Sequence, residues 1–245
     1  MFETDTIAAI STAPGEGGIG IVRMSGTKSM EIIQNIFTLP SGKSLKDIRD
    51  RYFYYGNIVD GSKEIIDEVL VVCMRGPRSY TREDIVEIHC HGGMIPIRRI
   101  LELTIDYGAR LAEPGEFTKR AFLNGRLDLT QAEAVADIVF AKSDEAARAS
   151  LRQLEGSLSM EIDKIAQKLI DLLAHIEAII DYPEEDVDDL TIGNIRQQLD
   201  NCIYRIKRLI DSASTGKLIR QGIKTVIVGK PNVGKSSLLN ALVRE

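Results

Sequence analysis

The residues best placed to do chemistry stand together near the end of the 245-residue chain. Gly229-Lys230-Pro231-Asn232-Val233-Gly234-Lys235-Ser236 fits the phosphate-loop pattern G-x-x-x-x-G-K-S. Glycines at this spacing let the backbone curl around phosphate with several N–H groups turned inward. The positive end of a following helix adds to the attraction. Lys235 is spaced to reach the β- and γ-phosphates, and the Ser236 hydroxyl to ligate magnesium. A bare match to this pattern is weak, so the flanks decide. Thr225-Val226-Ile227-Val228 reads as an apolar strand running into the loop, and Ser237-Leu238-Leu239-Asn240-Ala241-Leu242 begins a helix. One strand and part of one helix are too little for a nucleotide-binding domain, so residues 220–245 are expected to open a larger α/β unit. Nothing in the loop says which base is bound. Catalytic residues are expected beyond Glu245.

Two other constellations invite chemistry. His89-Cys90-His91 places two imidazoles on one face of a strand, but no third ligand follows at zinc-like spacing. The acidic run from Asp181 to Asp189 reads as a solvated connection between helices. Cys73, Cys90 and Cys202 are odd in number and contain no C-x-x-C pair, which excludes a disulfide framework and a four-cysteine zinc site. Hydrophobic residues make up 44% and charged residues 27%, as in ordinary globular proteins. A net charge of −5 argues against a broad basic surface but leaves room for a local patch. The N-terminus lacks the basic start of a signal peptide, and no apolar run is long enough for a membrane span. A cytoplasmic protein with no membrane association is expected.

The elements that must hold these residues fall into three regions. Residues 1–118 mix strands and helices without a βαβ rhythm, hence α+β. Strands are expected at Ile19–Met24, Tyr52–Val59, Val69–Met74 and Ile85–Cys90, with a hairpin turn at Asp60-Gly61. Helices are expected at Ser29–Phe37 and Ile95–Tyr107. Residues 119–219 change period. Thr130-x-x-Glu133 looks like a capping box and Ser143 like a helix start. Apolar residues stepping by three or four from Leu151 to Ile179 predict one long helix. A second stripe from Ile195 to Ala213 predicts its antiparallel partner in a helical bundle. Thr215-Gly216-Lys217 is not a second phosphate loop.

The chain also resembles the MnmE (TrmE) family. The resemblance rests on the phosphate loop, on Gly15-x-Gly17-Gly18-Ile19-Gly20-Ile21-Val22-Arg23, and on Tyr80-Thr81-x-Glu83-Asp84. It extends to His91-Gly92-Gly93, Pro114-Gly115-Glu116-Phe117-Thr118, Leu127-Asp128-Leu129-x-Gln131-Ala132-Glu133 and Asp181-Tyr182-Pro183-Glu184-Glu185. It implies an N-terminal folate-binding domain, a helical domain and a G domain inserted into the helical one. It further implies a homodimer through the N-terminal domain. The activity it implies is GTP hydrolysis coupled to modification of C5 of a wobble uridine in tRNA, performed with the flavoprotein MnmG (GidA). Carried over by position, nucleotide contacts fall on Asn232, Val233, Gly234, Lys235, Ser236 and Ser237, with Ser236 on Mg2+ and Asn232 on K+. Arg23, Glu87 and Arg126 fall on positions that contact 5-formyltetrahydrofolate, Arg126 standing where lysine is common. Paired hydrogen bonds from a pterin edge suit Glu87, and an acidic tail suits Arg23 and Arg126. The family's Cys-x-Gly-Lys ending is not among the 245 residues, and Cys73 and Cys90 do not replace it. A folate-dependent transferase without a nucleotide role and a non-catalytic dimerisation module are the rival readings.

Overall fold

The computed structural model describes residues 5–15, 17–41, 49–181, 192–222 and 225–243. The chain divides into two compact units, Met1–Val135 and Ala136–Glu245.

The first unit is built on a seven-stranded sheet. Its strands are β1 (Ile7–Ile10), β2 (Ile19–Ser25), β3 (Phe37–Thr38), β4 (Phe53–Val59), β5 (Ile65–Met74), β6 (Ile85–His91) and β7 (Arg110–Leu111). The order is β3-β4-β5-β6-β2-β1-β7, antiparallel throughout except for the parallel pair β1–β7. Alternation decides which face is covered. Val22 and Met24 on β2, and Val86, Ile88 and Cys90 on β6, are buried. They pack with Ile32, Ile33 and Ile36 of α1 (Ser29–Ile36) and Ile97, Ile100 and Leu103 of α2 (Met94–Asp106) in one apolar core. The intervening residues Ile21, Arg23, Glu87 and His89 face the other side of the sheet, which is only half-covered. Gly20 has no side chain because α2 lies against it: a Cβ there would sit 2.2 Å from Ile97 Cδ1.

The turn at Asp60 closes the β4–β5 hairpin, with Asp60 Oδ1 accepting from the amides of Ser62 and Glu64. Strand β5 begins four residues before the expected Val69, because Ile65, Asp67 and Glu68 pair with β4 across an irregularity at Ile66. Four elements were not foreseen, the short strands β1, β3 and β7 and the helix α3 (Glu116–Leu123). Helix α3 is fixed by a polar clasp rather than an apolar stripe. Arg120, 8% exposed, donates to the Asp5 carboxylate at 2.6 Å, to Glu116 at 3.1 Å and to Glu83 at 3.2 Å. Arg110 grips the same Asp5 and Glu116 from the other side. Ser25 Oγ donates to Glu83 and shares a hydrogen bond of 2.6 Å with Thr81.

In α4 (Leu129–Val139) the capping pair is Asp128 and Gln131, not Thr130 and Glu133. The Gln131 amide donates to Asp128 Oδ1 and the Asp128 amide to Gln131 Oε1, one reciprocal box two residues earlier than expected. Ser143 does cap α5 (Asp144–Leu154), accepting from the Ala146 amide. The long helix expected from Leu151 to Ile179 is two helices, α5 and α6 (Ser157–Asp181). Gly156 adopts φ +85° between them, a left-handed conformation that ends a helix at little cost only for glycine. The apolar period runs straight across that break, which is why it hid it. Helix α7 (Ile192–Gln221) carries the second stripe and contains Gly216. Leu158 and Ile162 near the start of α6 lie beside Ile210 and Ala213 towards the end of α7, so the two run antiparallel. Cys202, Ile165 and Leu172 are buried between helices, while Ile162, Ile206 and Ile210 remain substantially exposed. The acidic stretch 182–189 lies outside the described residues.

Residues 225–228 do not form the expected strand. Val226 and Val228 are 79% and 87% exposed, and no described segment pairs with them. A strand exists only where another strand satisfies its amides and carbonyls. Helix α8 (Lys235–Val243) follows the loop as expected.

Candidate functional site

The first unit gathers side chains that the sequence scatters. Arg23 and Glu87 are 64 residues apart but are direct cross-strand partners in the β2–β6 ladder. Arg23 Nε lies 2.8 Å and Nη2 2.6 Å from Glu87 Oε1. His89 Nε2 lies 3.3 Å from the other carboxylate oxygen, Oε2. The carboxylate is thus held from both sides with its free lone pairs on the open face of the sheet.

Aromatic rings from two other segments close around this pair. The Arg23 guanidinium sits 5.9 Å from the Tyr80 ring centroid and 5.7 Å from that of Phe117. Arg126 stacks over Tyr80 at 4.6 Å and donates to the Tyr80 carbonyl at 3.0 Å. Tyr80 and Phe117 come from the β5–β6 connection and from α3. The clasp sets their positions, since Glu83 and Thr81 beside Tyr80, and Glu116 and Arg120 beside Phe117, belong to it. The Tyr80 hydroxyl also bonds Thr118 at 2.9 Å, tying the loop directly to α3. The outcome is one fixed carboxylate, two guanidinium groups and two aromatic faces in a single cluster. Such a set can pair with an amino-pyrimidine edge, stack a flat ring and neutralise an acidic tail. Arg23, Glu87 and Arg126 were named from the sequence; Tyr80, Phe117 and His89 were not given a binding role.

His91 does not join this cluster. Its Nδ1 meets Asp67 Oδ1 at 2.6 Å and its amide donates to Asp67 Oδ2, and the Asp67 carboxylate raises the imidazole pKa. Among the described residues no three His, Cys, Asp or Glu side chains converge on a metal position. Burial pushes the Cys73 thiol up to about 12 and Cys90 to about 11, far from the range of a reactive thiolate.

In the second unit the Gly229–Ser236 segment forms a closed loop ahead of α8. Asn232 and Gly234 take φ +60° and +89°. These left-handed positions turn the chain back on itself, and the Leu238 amide donates to Gly234 O as the helix begins. Lys235 Nζ reaches over the loop to the carbonyls of Gly229 at 3.0 Å and Lys230 at 2.7 Å. Its ammonium therefore lies inside the curl, where phosphate oxygens would replace those carbonyls. A Cβ on Gly229 would come within 3.1 Å of Val233 Cγ2, so the curl is as tight as its composition suggests. Donor chemistry and curvature both fit a triphosphate, with the Ser236 hydroxyl on the first turn of α8 for a magnesium ion.

Comparison with known proteins bears directly on this arrangement. Residues 6–126 match the family described as GTP-binding protein TrmE N-terminus, and residues 129–241 match the MnmE helical domain. The chain belongs to the MnmE family. It is 57% identical over 246 residues to the tRNA modification GTPase MnmE of Alkaliphilus oremlandii, covering 100% of this chain and 53% of that protein. The corresponding proteins of Clostridioides difficile and Geobacillus kaustophilus are 56% and 53% identical, again over the whole chain and 53% and 54% of their own length. The chain spans about half the length of the curated relatives it matches, and corresponds to their N-terminal half. No helix among the described residues is long and apolar enough to cross a membrane.

Proposed function

We propose that this chain is the folate- and phosphate-binding front part of a GTP-hydrolysing enzyme that modifies tRNA. In this reading residues 1–118 bind a folate and dimerise, residues 119–219 form the helical domain, and residues 220–245 open the G domain. The observation that carries the nucleotide half is Lys235, whose ammonium caps a loop of inward-curled backbone on the first turn of a helix. GTP with Mg2+ is the expected ligand, Ser236 taking the metal and Asn232 assisting a K+ ion. Asn232, Val233, Gly234, Lys235, Ser236 and Ser237 supply the contacts. Bound there, GTP supplies a transferable phosphoryl group, and the loop's part is to fix and neutralise its charge.

The one-carbon half rests on the cluster around Arg23. Glu87 faces the pterin edge of 5-formyltetrahydrofolate, Tyr80 and Phe117 flank it, and Arg23 and Arg126 meet its acidic end. The folate would supply the one-carbon unit that ends on C5 of the wobble uridine, with the flavoprotein MnmG as partner in a cytoplasmic complex. A homodimer through the first unit is supported by its open sheet face, where Ile19, Phe53, Tyr55 and Leu70 are exposed apolar residues. That face also supports the narrower reading of the unit as a dimerisation module alone.

Calorimetric titration of 5-formyltetrahydrofolate into wild type and Arg23→Ala separates these. Binding by the wild type with at least tenfold loss in the variant supports the folate site. No binding by either protein leaves the scaffold reading. For the nucleotide half, a fluorescent GTP analogue should bind the intact protein in a magnesium-dependent way, and failure to bind sinks that reading.

A further inference from the structure

The first unit carries a set of exposed arginines outside its core, of which Arg126 alone also belongs to the candidate folate cluster. Three short segments meet at one end of the sheet. The β5–β6 connection supplies Arg75, Arg78 and Arg82, the approach to β4 supplies Arg51, and the turn after α3 supplies Arg126, all with exposed side chains. Their meeting is fixed by specific bonds. The Arg51 amide donates to Cys73 O and its guanidinium to Arg78 O. The Arg75 amide donates to Asp50 Oδ1. Arg82 Nη1 donates to Asn124 O, and Asn124 Nδ2 returns a bond to Thr81 O.

Nearby carboxylates do little to neutralise this end. Glu83 is committed to Arg120 and Ser25 within the clasp. Asp84 turns one oxygen to the Gly76 amide, and among the described residues Asp50 pairs with Arg51 at 3.4 Å besides accepting from the Arg75 amide. Among the described residues Arg75, Arg78 and Arg82 form no ion pair of 4 Å or less. So a chain with a net charge of −5 concentrates uncompensated positive charge at one place.

We infer that this arginine-lined end of the first unit binds the phosphodiester backbone of a structured RNA. The inference rests on the tRNA-modifying role proposed above, and names the surface that would hold the RNA. The cations here are all arginine, whose planar fork matches phosphate oxygens in pairs. They stand on turns held by backbone hydrogen bonds, not on an amphipathic helix of the kind that lies on lipid. Tyr52, 53% exposed beside Arg51, offers a ring on which an unpaired base can stack. The connection bearing Arg78 and Arg82 also places Tyr80 against Arg23. RNA held on the outside of this loop would lie next to the candidate one-carbon site on its inside.

Fluorescence anisotropy of labelled tRNA with the intact protein tests this, across a series of KCl concentrations. Arg75→Ala/Arg78→Ala/Arg82→Ala should weaken binding at least tenfold at 0.1 M KCl. It should also flatten the log K against log[salt] slope by about 2 to 3, since each lost phosphate contact removes ~0.7–0.9. The triple lysine variant at the same positions keeps the charge but loses the fork, so it should keep the wild-type salt slope with an affinity between those of wild type and the alanine variant. Removing three cations elsewhere, with Arg205→Ala/Lys207→Ala/Arg208→Ala on α7, should change affinity less than about twofold. Undiminished tRNA binding by the first variant, an equal loss in the α7 variant, or no tRNA binding by the wild type overturns the inference. So does a loss of binding to anionic phospholipid vesicles with tRNA affinity intact, which would assign the surface to lipid. Titration of 5-formyltetrahydrofolate into the first variant separates the two claims: folate affinity kept while tRNA affinity is unchanged sinks the RNA surface and leaves the folate site standing.

Discussion

Glu116 is the residue whose removal should be felt most clearly in the first unit. It is 5% exposed, yet it is charged. Arg110 approaches it with both terminal nitrogens, at 2.8 and 3.1 Å. The Glu113 amide donates at 2.7 Å and Arg120 at 3.1 Å. The Arg110 hydrogen bonds, with those of Glu113 and Arg120, outweigh the cost of burial and lower the carboxyl from 4.5 to about 2. The sign follows from the direction. A carboxyl with a folded pKa below its unfolded one stabilises the fold fully above the unfolded value, and loses that contribution as pH falls through the folded value. At about 1.4 kcal/mol per pH unit, the gap from 4.5 to about 2 is worth roughly 3 kcal/mol at pH 7. At pH 3, where an unfolded Glu is already protonated, about 1.4 kcal/mol remains. Glu116→Gln removes the charge while keeping the shape, so it should cost up to about 3 kcal/mol at pH 7 and about 2 kcal/mol less than that at pH 3. Equilibrium urea unfolding at pH 7, 5 and 3 measures it. Tyrosine near-UV circular dichroism isolates the first unit, which holds five of the seven tyrosines. A penalty below about 0.5 kcal/mol at pH 7, or one that does not shrink with acidification, would refute the claim that ionised Glu116 holds α3 in place.

Three further outcomes follow from the same geometry. Lys235→Ala should weaken GTP binding to the intact protein about a hundredfold, since a charge-assisted contact to phosphate contributes ~1.5–3 kcal/mol; fluorescent-nucleotide titration in magnesium reads it, and unchanged affinity would count against the phosphate loop. Gly20→Ala should destabilise the first unit by ~1–3 kcal/mol, because the new methyl would meet Ile97 at 2.2 Å and force α2 or its side chains aside; a urea midpoint equal to wild type would contradict the close packing of α2. Cys73 and Cys90, with thiols held near 12 and 11, should resist a disulfide reagent at pH 8 in the native protein and react once it is unfolded in urea; fast labelling of either in the native state would show that burial does not protect them.

Periodicity recovered the longer elements that bury an apolar face, but not β1, whose four residues are too few to show alternation although Ile7 and Ala8 are buried. β2, β6, α1 and α2 announce themselves because Val22, Met24, Ile88, Ile33 and Ile100 must all reach the same core. It failed where polar groups or backbone geometry decide. Helix α3 is eight residues long and anchored by Arg120 and Glu116, so it carries no apolar stripe to find. The break at Gly156 leaves the spacing of Leu154 and Leu158 undisturbed, so only the left-handed backbone reveals it. Residues 225–228 show the opposite failure: their composition suits a strand, but a strand is a relation between segments, and no described segment supplies the other half.

The two candidate sites differ in legibility for the same reason. The phosphate-loop residues stand in one consecutive stretch from Gly229 to Ser237, so spacing alone singles out Lys235 as the cation meant for phosphate, while its contacts with the Gly229 and Lys230 carbonyls come from the structure. The Arg23 cluster draws on four segments separated by up to about a hundred residues, and its cohesion depends on the β2–β6 register. Shifting that register by one residue would turn Glu87 into the core and bring Val86 or Ile88 opposite Arg23. The buried face therefore fixes the open one: Val22, Met24, Val86 and Ile88 cannot leave the core without cost, and their immobility keeps Arg23 and Glu87 paired. Tyr80 and Phe117 need a second restraint, because they ride on a connection and a short helix. The clasp of Asp5, Glu83, Glu116 and Arg120 provides it. The cost of burying Glu116 and Arg120 is thus offset at the place where a loop and a helix must be held in register with a sheet. It follows that the clasp should be felt at the site as well as in stability: Glu116→Gln should weaken 5-formyltetrahydrofolate binding even though Glu116 touches neither Arg23 nor Glu87.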